Sequence, residues 1–379
     1  MAEKTEVKSS RKIQFRHRGR GEQVWIYLGK LLRMFVYQSD WKVLPMSALV
    51  AGLVGMVVRR RMFLNMEGTL MGAFAYACVC LWNGSFNSIQ VICRERDVIK
   101  REHRSGMHVS SYVFSHMIYQ ALLCILQTGI TLYVTSLTGV QYPSESLFTP
   151  WYMVDLGISM FLITFASDML SLWVSALAKT TTTAMTIMPF VLIFQLVFSG
   201  GMLQLSAWTK PLTELTISNP GLKVIAAQAD TNNRPFVTIS DMLHKMRDNE
   251  IKGTVKYGQI ADLLENEEIS AIAEMRSYPL GEELKAGDII DLAAEAEELQ
   301  PYLEEGFDYD FTVGEVIDLV GEEKVKTFIE EKAAEASYVA EYEYTAGNVI
   351  GYWVRLGMFA LLFAVLATIT LEFIDKDKR

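Results

Sequence analysis

Residues that could carry out chemistry are few in this sequence and lie far apart. The chain has five histidines, which are His17, His103, His108, His116 and His244. Their spacing fits no metal-binding motif, and the sequence has no GxxxxGK(S/T) loop to cradle phosphates, no GxGxxG and no HExxH. We therefore predict no catalytic residues, no metal site and no cofactor held by this chain.

The four cysteines indicate packing rather than chemistry. They are Cys78, Cys80, Cys93 and Cys124, and all lie in or beside apolar stretches. Cys78 and Cys80 are two positions apart, which on a helix turns their side chains about 200° away from each other. This spacing argues against a shared metal site, and the pattern implies no disulfide framework.

Charged side chains of both signs are dense in one short segment, residues 94–104. The six that we single out are Glu95, Arg96, Asp97, Lys100, Arg101 and Glu102. Groups of this kind form charge-assisted hydrogen bonds with another protein, or they anchor a segment among lipid headgroups. The chemistry predicted here is binding rather than catalysis.

The elements that position this segment are apolar stretches long enough to cross a membrane. A helix rising 1.5 Å per residue needs about 20 apolar residues to cross about 30 Å of hydrocarbon. Six stretches meet this requirement, and each is too apolar all round for a surface helix. They lie at about Trp41–Val58, Gly68–Ile92, Val109–Leu137, Trp151–Ala178, Thr180–Leu203 and Gly347–Phe373.

Residues 22–38, before the first span, have an amphipathic pattern. An apolar stripe leaves Lys30 and Arg33 on the other side, and its members are Trp25, Leu28, Leu32, Phe35 and Val36. This pattern predicts a helix lying on the inner membrane surface. The alternative is an inward extension of the first span.

The distribution of basic residues predicts the orientation of the spans. With the N-terminus inside, segments 1–40 and 93–108 are cytoplasmic and carry 9 and 5 lysines and arginines. The tail Asp375–Arg379 adds 3 more. Since cytoplasmic loops are enriched in these residues, we expect both termini to be cytoplasmic. The triplet Arg59–Arg61, in a predicted outer loop, opposes this orientation.

A strongly acidic region separates the last two spans. Residues 241–343 carry a net charge of −19, whereas the rest of the chain carries +10. Segment 205–236 is moderately apolar and contains Pro211 and Pro220, which favours short broken helices that re-enter the membrane. Residues 237–344 follow as a small, mainly helical extracytoplasmic domain.

The predicted fold class is therefore an all-α membrane protein with six spans and an extracytoplasmic helical insert between the fifth and the sixth. Its predicted divisions are 1–40 for the N-terminus and amphipathic helix, 41–204 for spans one to five, 205–236 for the re-entrant segment, 237–344 for the acidic domain and 347–374 for span six.

The charged segment resembles the inner loop of the ABC-2 type permeases, in particular the membrane domain of the G-subfamily of ABC transporters. The positions that match the family pattern are Glu95, Arg96, Arg101, Glu102, Ser105, Gly106 and Tyr112. PheSerGly at 198–200 resembles the end of the family's fifth span, and Trp208 with SerAsnPro at 218–220 resembles its re-entrant region. The resemblance covers about 22–230 and 347–374.

The resemblance implies an ATP-driven exporter of an amphipathic, lipid-like or peptide substrate in the plasma membrane. It implies a separate ABC ATPase subunit that binds ATP and Mg, a second permease chain, usually an identical copy, and contact with membrane lipids but not with nucleic acid. The segment with Glu95, Arg96, Asp97, Lys100, Arg101 and Glu102 would then press against the ATPase.

The resemblance also implies a substrate path lined by the second and fifth spans. The candidate positions are Cys80, Asn83, Asn87, Leu192, Ile193 and Leu196. Hydrogen bonding between helices is the alternative role for the two asparagines. The chain departs from the family at Gln90, where an acid is common, and at the outer gate, where Gly201 and Met202 replace two leucines.

Two other classes of function stay open at this point. Ionisable residues in the spans would suit a gradient-driven carrier; they are Asp155, Asp168, Arg355 and Glu372. Asp168 and Arg355 are the deeper pair and are expected to bond with each other or with backbone groups. Alternatively, the acidic domain senses a ligand and the spans pass the signal on.

Overall fold

The computed structural model describes residues 19–37, 40–200, 210–234, 247, 249–256, 274, 276–279, 284–288, 291 and 306–373. The chain divides into two compact units, one made of 1–236 with 337–379 and the other of 237–336. Helices are numbered below in chain order among the described residues.

The first unit is helical throughout its described part. Its helices are α1 (Arg20–Tyr37), α2 (Val43–Val58), α3 (Met66–Ser88), α4 (Val91–Arg104), α5 (Val109–Leu137), α6 (Tyr152–Leu177), α7 (Thr181–Val197), α8 (Lys210–Thr213), α9 (Ser218–Gln228) and α12 (Ala346–Glu372). Short 3-10 turns lie at Asp40–Lys42, Thr231–Asn233 and Ala340–Tyr342.

Five helical segments of the described chain are long and apolar enough to cross a membrane. They are Asp40–Val58, Met66–Arg104, Val109–Leu137, Tyr152–Leu177 and Ala346–Glu372. The remaining predicted span, Thr180–Leu203, contains the shorter apolar helix α7 of 17 residues. That helix ends early because Phe198 leaves the helical conformation and Gly200 has a φ of +78°, which favours glycine.

Helix α6 forms the centre of this unit, where it packs against α3 and α12. Its residues Leu156, Ile163 and Leu172 are fully buried. Helix α3 approaches closely because Gly84 lies where a Cβ atom would collide with the carbonyl oxygen of Thr164. Small residues at such contacts let two membrane helices pack backbone to backbone.

Helix α1 is an element of its own that packs along α5. Leu28 and Leu31 are buried in this contact, whereas Trp25 and Val36 of the predicted apolar stripe are 71% and 65% exposed. One part of the predicted stripe therefore packs on the unit, and the other part forms an exposed apolar surface.

The segment predicted to re-enter the membrane consists of short helices where it is described. Every residue of α9 is buried, among α3, α6 and α12. The side-chain oxygen of Gln195 accepts hydrogen bonds from the backbone N–H groups of Ile217 and Ser218, at 2.8 and 3.2 Å. These bonds fix the beginning of α9 against α7. Trp208 lies outside the described residues.

The second unit was predicted to be mainly helical, and its described residues contain two strands as well as helices. Strand β1 (Glu250–Lys256) pairs antiparallel with β2 (Gly306–Thr312), with Glu250 opposite Thr312. The alternation of aromatic and acidic residues in β2 has the period of two that strands require.

Two helices follow the strands, α10 (Val313–Val320) and α11 (Glu322–Ser337). Thr312 and Glu315 form a reciprocal capping box that begins α10 directly after β2, with bonds of 2.9 and 3.2 Å. The unit ends at 336, before the predicted boundary at 344. Tyr342, beyond that end, is buried in the first unit.

Candidate coupling surface and substrate path

The charged segment lies in a regular helix, α4. It follows α3 after the two residues Ile89 and Gln90. Ile92 and Ile99 are buried and hold the helix to the unit, while basic residues occupy its last turn. Positive charge near a helix C-terminus is stabilising because the unsatisfied carbonyl groups carry partial negative charge.

The beginning of α4 is clamped to the end of α6. The hydroxyl oxygen of Ser175 accepts hydrogen bonds from the backbone N–H groups of Ile92 and Cys93, at 3.1 and 3.2 Å. In the other direction, Arg96 donates through Nη1 to the carbonyl oxygens of Ala176 and Ala178, at 3.0 and 2.9 Å. The N–H groups at the beginning of α4 are thus bonded by α6, and the carbonyl groups at the end of α6 are bonded by α4.

The middle and end of α4 are bonded to α1. Lys30 Nζ lies 3.2 Å from Glu95 Oε2, and the side chain of Glu95 is only 13% exposed. The Tyr27 hydroxyl donates to Glu102 Oε2 at 3.0 Å. Burial and this hydrogen bond raise the pKa of Tyr27 above its ordinary value of 10.0, so the hydroxyl keeps the proton that it donates.

The six predicted coupling residues therefore separate into two sets. Glu95, Arg96 and Glu102 bond within the first unit. Asp97 and Arg101 are exposed, and Lys100 is partly exposed. Asp97 and Arg101 are four positions apart, which places them on one face of the helix. The second set is the more exposed of the two, and we call it, with its helix face, the coupling surface.

The predicted path residues of α3 bond to neighbouring helices. Asn83 donates to the hydroxyl oxygen of Ser47 in α2 at 3.1 Å. Asn87 and Gln127 of α5 exchange two amide hydrogen bonds, at 2.8 and 3.0 Å. The structure thus gives both asparagines the helix-to-helix contacts that were the alternative to a path. Cys80 is fully buried.

The predicted path residues of α7 are not on one surface. Leu192 is buried in the core, Leu196 packs partly against it, and Ile193 is 57% exposed. The two outer-gate candidates, Gly201 and Met202, lie outside the described residues.

Comparison with known proteins establishes the family. The sequence profile of the ABC-2 type transporter family matches residues 18–214, which is more than half of the chain. The chain belongs to the ABC-2 type transporter family. Membrane domains of this family are transport permeases, not themselves catalytic, and in ABC transporters they work with ATPase partners. The predicted ABC-2 resemblance is thereby confirmed, and the chain is a multi-pass helical membrane protein.

The chain is also similar to a curated protein of Mycobacterium tuberculosis, the ABC transporter ATP-binding/permease protein Rv1747. The two are 28% identical over 151 residues, which is 39% of this chain and 17% of the relative. This ABC-2 chain thus matches only a small part of the relative's length.

Sequence reasoning missed the partners that hold helix α4 of this ABC-2 permease in place. Tyr27 and Ser175 carry no motif, and Lys30 stood out only because it lies off the apolar stripe of α1. Pairing of Asp168 with Arg355 was one of two alternatives left open, and it does not occur, since Arg355 Nη2 lies 3.0 Å from Glu214 Oε2. Asp168 accepts from the Cys124 thiol at 3.6 Å instead.

Proposed function

We propose that this chain is the permease subunit of an ATP-driven exporter of an amphipathic, lipid-like or peptide substrate. The observation that carries the proposal is the coupling surface on α4. Its charges point outward, while the same helix is clamped to α6 by Arg96 and bonded to α1 by Glu95. A force that the ATPase exerts on this surface is transmitted to α6 and α1 as rigid-body motion, because α4 is bonded to both helices.

We place ATP hydrolysis in a separate partner chain. The sequence has no GxxxxGK(S/T) loop, which is the element that holds nucleotide phosphates in such ATPases. The relative from Mycobacterium tuberculosis is described as both ATP-binding and permease protein, so its matched region belongs to a protein that combines both activities. Its description supports the pairing of this permease with an ATPase that holds ATP and Mg, while the placement of that ATPase in a separate chain rests on the missing loop.

We propose that α7 is the fifth of six spans. Its 17 residues rise about 26 Å, close to the ~30 Å of the hydrocarbon layer. The basic segments then place both termini and α4 in the cytoplasm and the acidic unit outside the plasma membrane. The apolar faces of α2 and α7, with Leu53 59% and Ile193 57% exposed, are the surfaces that we assign to lipid and to a second copy of the chain.

The proposal is tested by reversing charge on the coupling surface. Arg101→Glu removes one partner of a charged contact with the ATPase, and such a loss lowers the binding free energy by about 2–5 kcal/mol at a buried interface. We therefore expect the amount of ATPase chain that co-purifies from native membranes to fall at least tenfold, since ~1.4 kcal/mol corresponds to a factor of ten. Arg60→Glu is the matched control, because Arg60 is also exposed but lies in the loop between α2 and α3.

Mass spectrometry of the complex, extracted with its native lipids, reports the subunits. Wild type and the Arg60 variant should carry an ATP-binding chain and two copies of the permease. Absence of any ATP-binding chain in the wild-type complex, together with unchanged transport in the Arg101 variant, would contradict the proposal and favour a gradient-driven carrier or a sensor.

A further inference from the structure

A partly open cavity of about 210 Å³ is lined mainly by residues of α1, α3, α4 and α5. Most of its lining is apolar and includes Leu31, Ile89 and Leu123, which are all buried. Its size exceeds the ~150 Å³ of an apolar cavity that accepts benzene, so it has room for one ring and a small substituent.

Two buried polar side chains of α5 line this cavity. His116 and Gln120 are each 1% exposed. Gln120 donates to the Ser88 hydroxyl at 2.8 Å, but its side-chain carbonyl oxygen has no hydrogen-bond partner among the described residues. Neither ring nitrogen of His116 has such a partner there. Since buried polar groups are almost always hydrogen-bonded, a donor and two acceptors with no partner indicate a ligand that supplies the missing bonds.

The charges around the cavity already neutralise one another. Glu95, which lines it, is paired with Lys30 at 3.2 Å. Arg94 and Asp40 also line it, and they lie 3.8 Å apart. An ionic ligand would find no unpaired counter-charge among these four groups, so the chemistry of the cavity favours a neutral molecule.

We propose that this cavity binds a small uncharged amphipathic molecule with one hydroxyl or amide group. That group accepts a hydrogen bond from the ring N–H of His116 and donates one to the side-chain carbonyl oxygen of Gln120. The apolar body of the ligand packs against Leu31 and Leu123. The site lies within one chain, and Asn87 of the predicted path contributes to its wall.

Helix α4 contributes Glu95 to the wall, and the coupling surface is on the same helix. A bound molecule therefore touches the element that faces the ATPase. We assign the cavity as the site where a transported molecule is loaded from the inner leaflet, an assignment that rests on the proposed function. Binding itself needs neither ATP nor a partner.

The test uses photolabelling of the full chain in lipid nanodiscs without nucleotide. The probe is the trifluoromethyl diazirine derivative of benzyl alcohol, and the matched probe has a methyl group in place of the hydroxymethyl group. We expect saturable labelling of the α5 peptide that contains His116 and Leu123, displaced by plain benzyl alcohol. His116→Leu should weaken labelling by the alcohol about threefold to tenfold, as for one lost hydrogen bond, and leave labelling by the methyl probe unchanged.

Filling the cavity gives a second, independent variant. Leu123→Phe should abolish saturable labelling, whereas Ile125→Phe, at a position 54% exposed on the same helix, should not. Labelling that rises linearly with probe concentration and is not displaced in the wild type would overturn the proposal, whatever the variants do. Saturable labelling of a permease that co-purifies with no ATPase would instead support the binding site and contradict the proposed function.

Discussion

Replacing Arg96 with methionine tests whether the clamp between α4 and α6 holds the coupling helix. Methionine keeps much of the length of the side chain but has no donor. The variant loses two hydrogen bonds from a charged group, to the carbonyl oxygens of Ala176 and Ala178. Bonds of this kind contribute about 1.5–3 kcal/mol each when fully buried. Because Arg96 is partly exposed, we expect a total loss of about 2–4 kcal/mol.

The loss is measured as a fall in the unfolding temperature of the purified chain. About 1 kcal/mol shifts this temperature by roughly 2–4 °C in domains of 150–250 residues, so the expected fall is about 4–16 °C. Reaction of a thiol-reactive dye reports unfolding, because Cys80, Cys93 and Cys124 are buried in the folded chain. All variants are heated at one fixed rate, since membrane proteins often unfold irreversibly.

Arg101→Met is the matched control, on the same helix but exposed. It should change the unfolding temperature by less than about 2 °C, because surface substitutions usually cost within 0.5 kcal/mol. Equal shifts in unfolding temperature for the two variants, or no shift for Arg96→Met, would refute the hypothesis that the clamp stabilises the folded chain. The two variants should also differ in function, with Arg101→Met losing ATPase association while it stays folded.

Two further predictions concern contacts between elements. Lys30→Glu and Glu95→Lys should each lower the unfolding temperature, and the variant with both exchanges should recover most of the loss. We expect a coupling free energy of about 1 kcal/mol in a double-mutant cycle, because the pair is partly buried. Additive effects of the two exchanges would contradict this prediction. Gly84→Ala should lower the unfolding temperature by several degrees, because the added methyl group meets the α6 backbone and overpacking costs about 1–3 kcal/mol. The control is Gly129→Ala, where the added methyl group meets nothing within 4 Å. This variant should leave the unfolding temperature unchanged or raise it.

The long apolar helices could be predicted closely, because the hydrocarbon layer imposes their length and composition. The predicted span Val109–Leu137 coincides with α5, and the last span differs from α12 by one residue at each end. The fifth was predicted too long because apolar residues continue past Val197, whereas the chain turns at Gly200. Hydropathy does not register such a turn.

Contacts between distant residues could not be predicted from composition or period. Lys30 and Glu95 are 65 positions apart, and many other opposite charges were available to each. The choice between the two alternatives for Asp168 and Arg355, pairing with each other or with backbone groups, could not be made for the same reason, since depth along a helix does not determine the face on which a side chain lies. The charged segment could be singled out from its composition, and the structure shows that it lies in helix α4, but its division into bonded and exposed residues required the structure.

Helices α3 and α4 form one helical segment of 39 residues, Met66–Arg104, with only Ile89 and Gln90 between them. Helix α4 is a lever of about 21 Å beyond this joint, because each of its residues rises ~1.5 Å. A tilt of about 10° would move its far end by about 4 Å but Arg96, some 8 Å along, by only about 1.3 Å. The clamp to α6 is thus near the fulcrum, where a displacement of about 4 Å at the far end of α4 becomes a displacement of only about 1 Å at the end of the span.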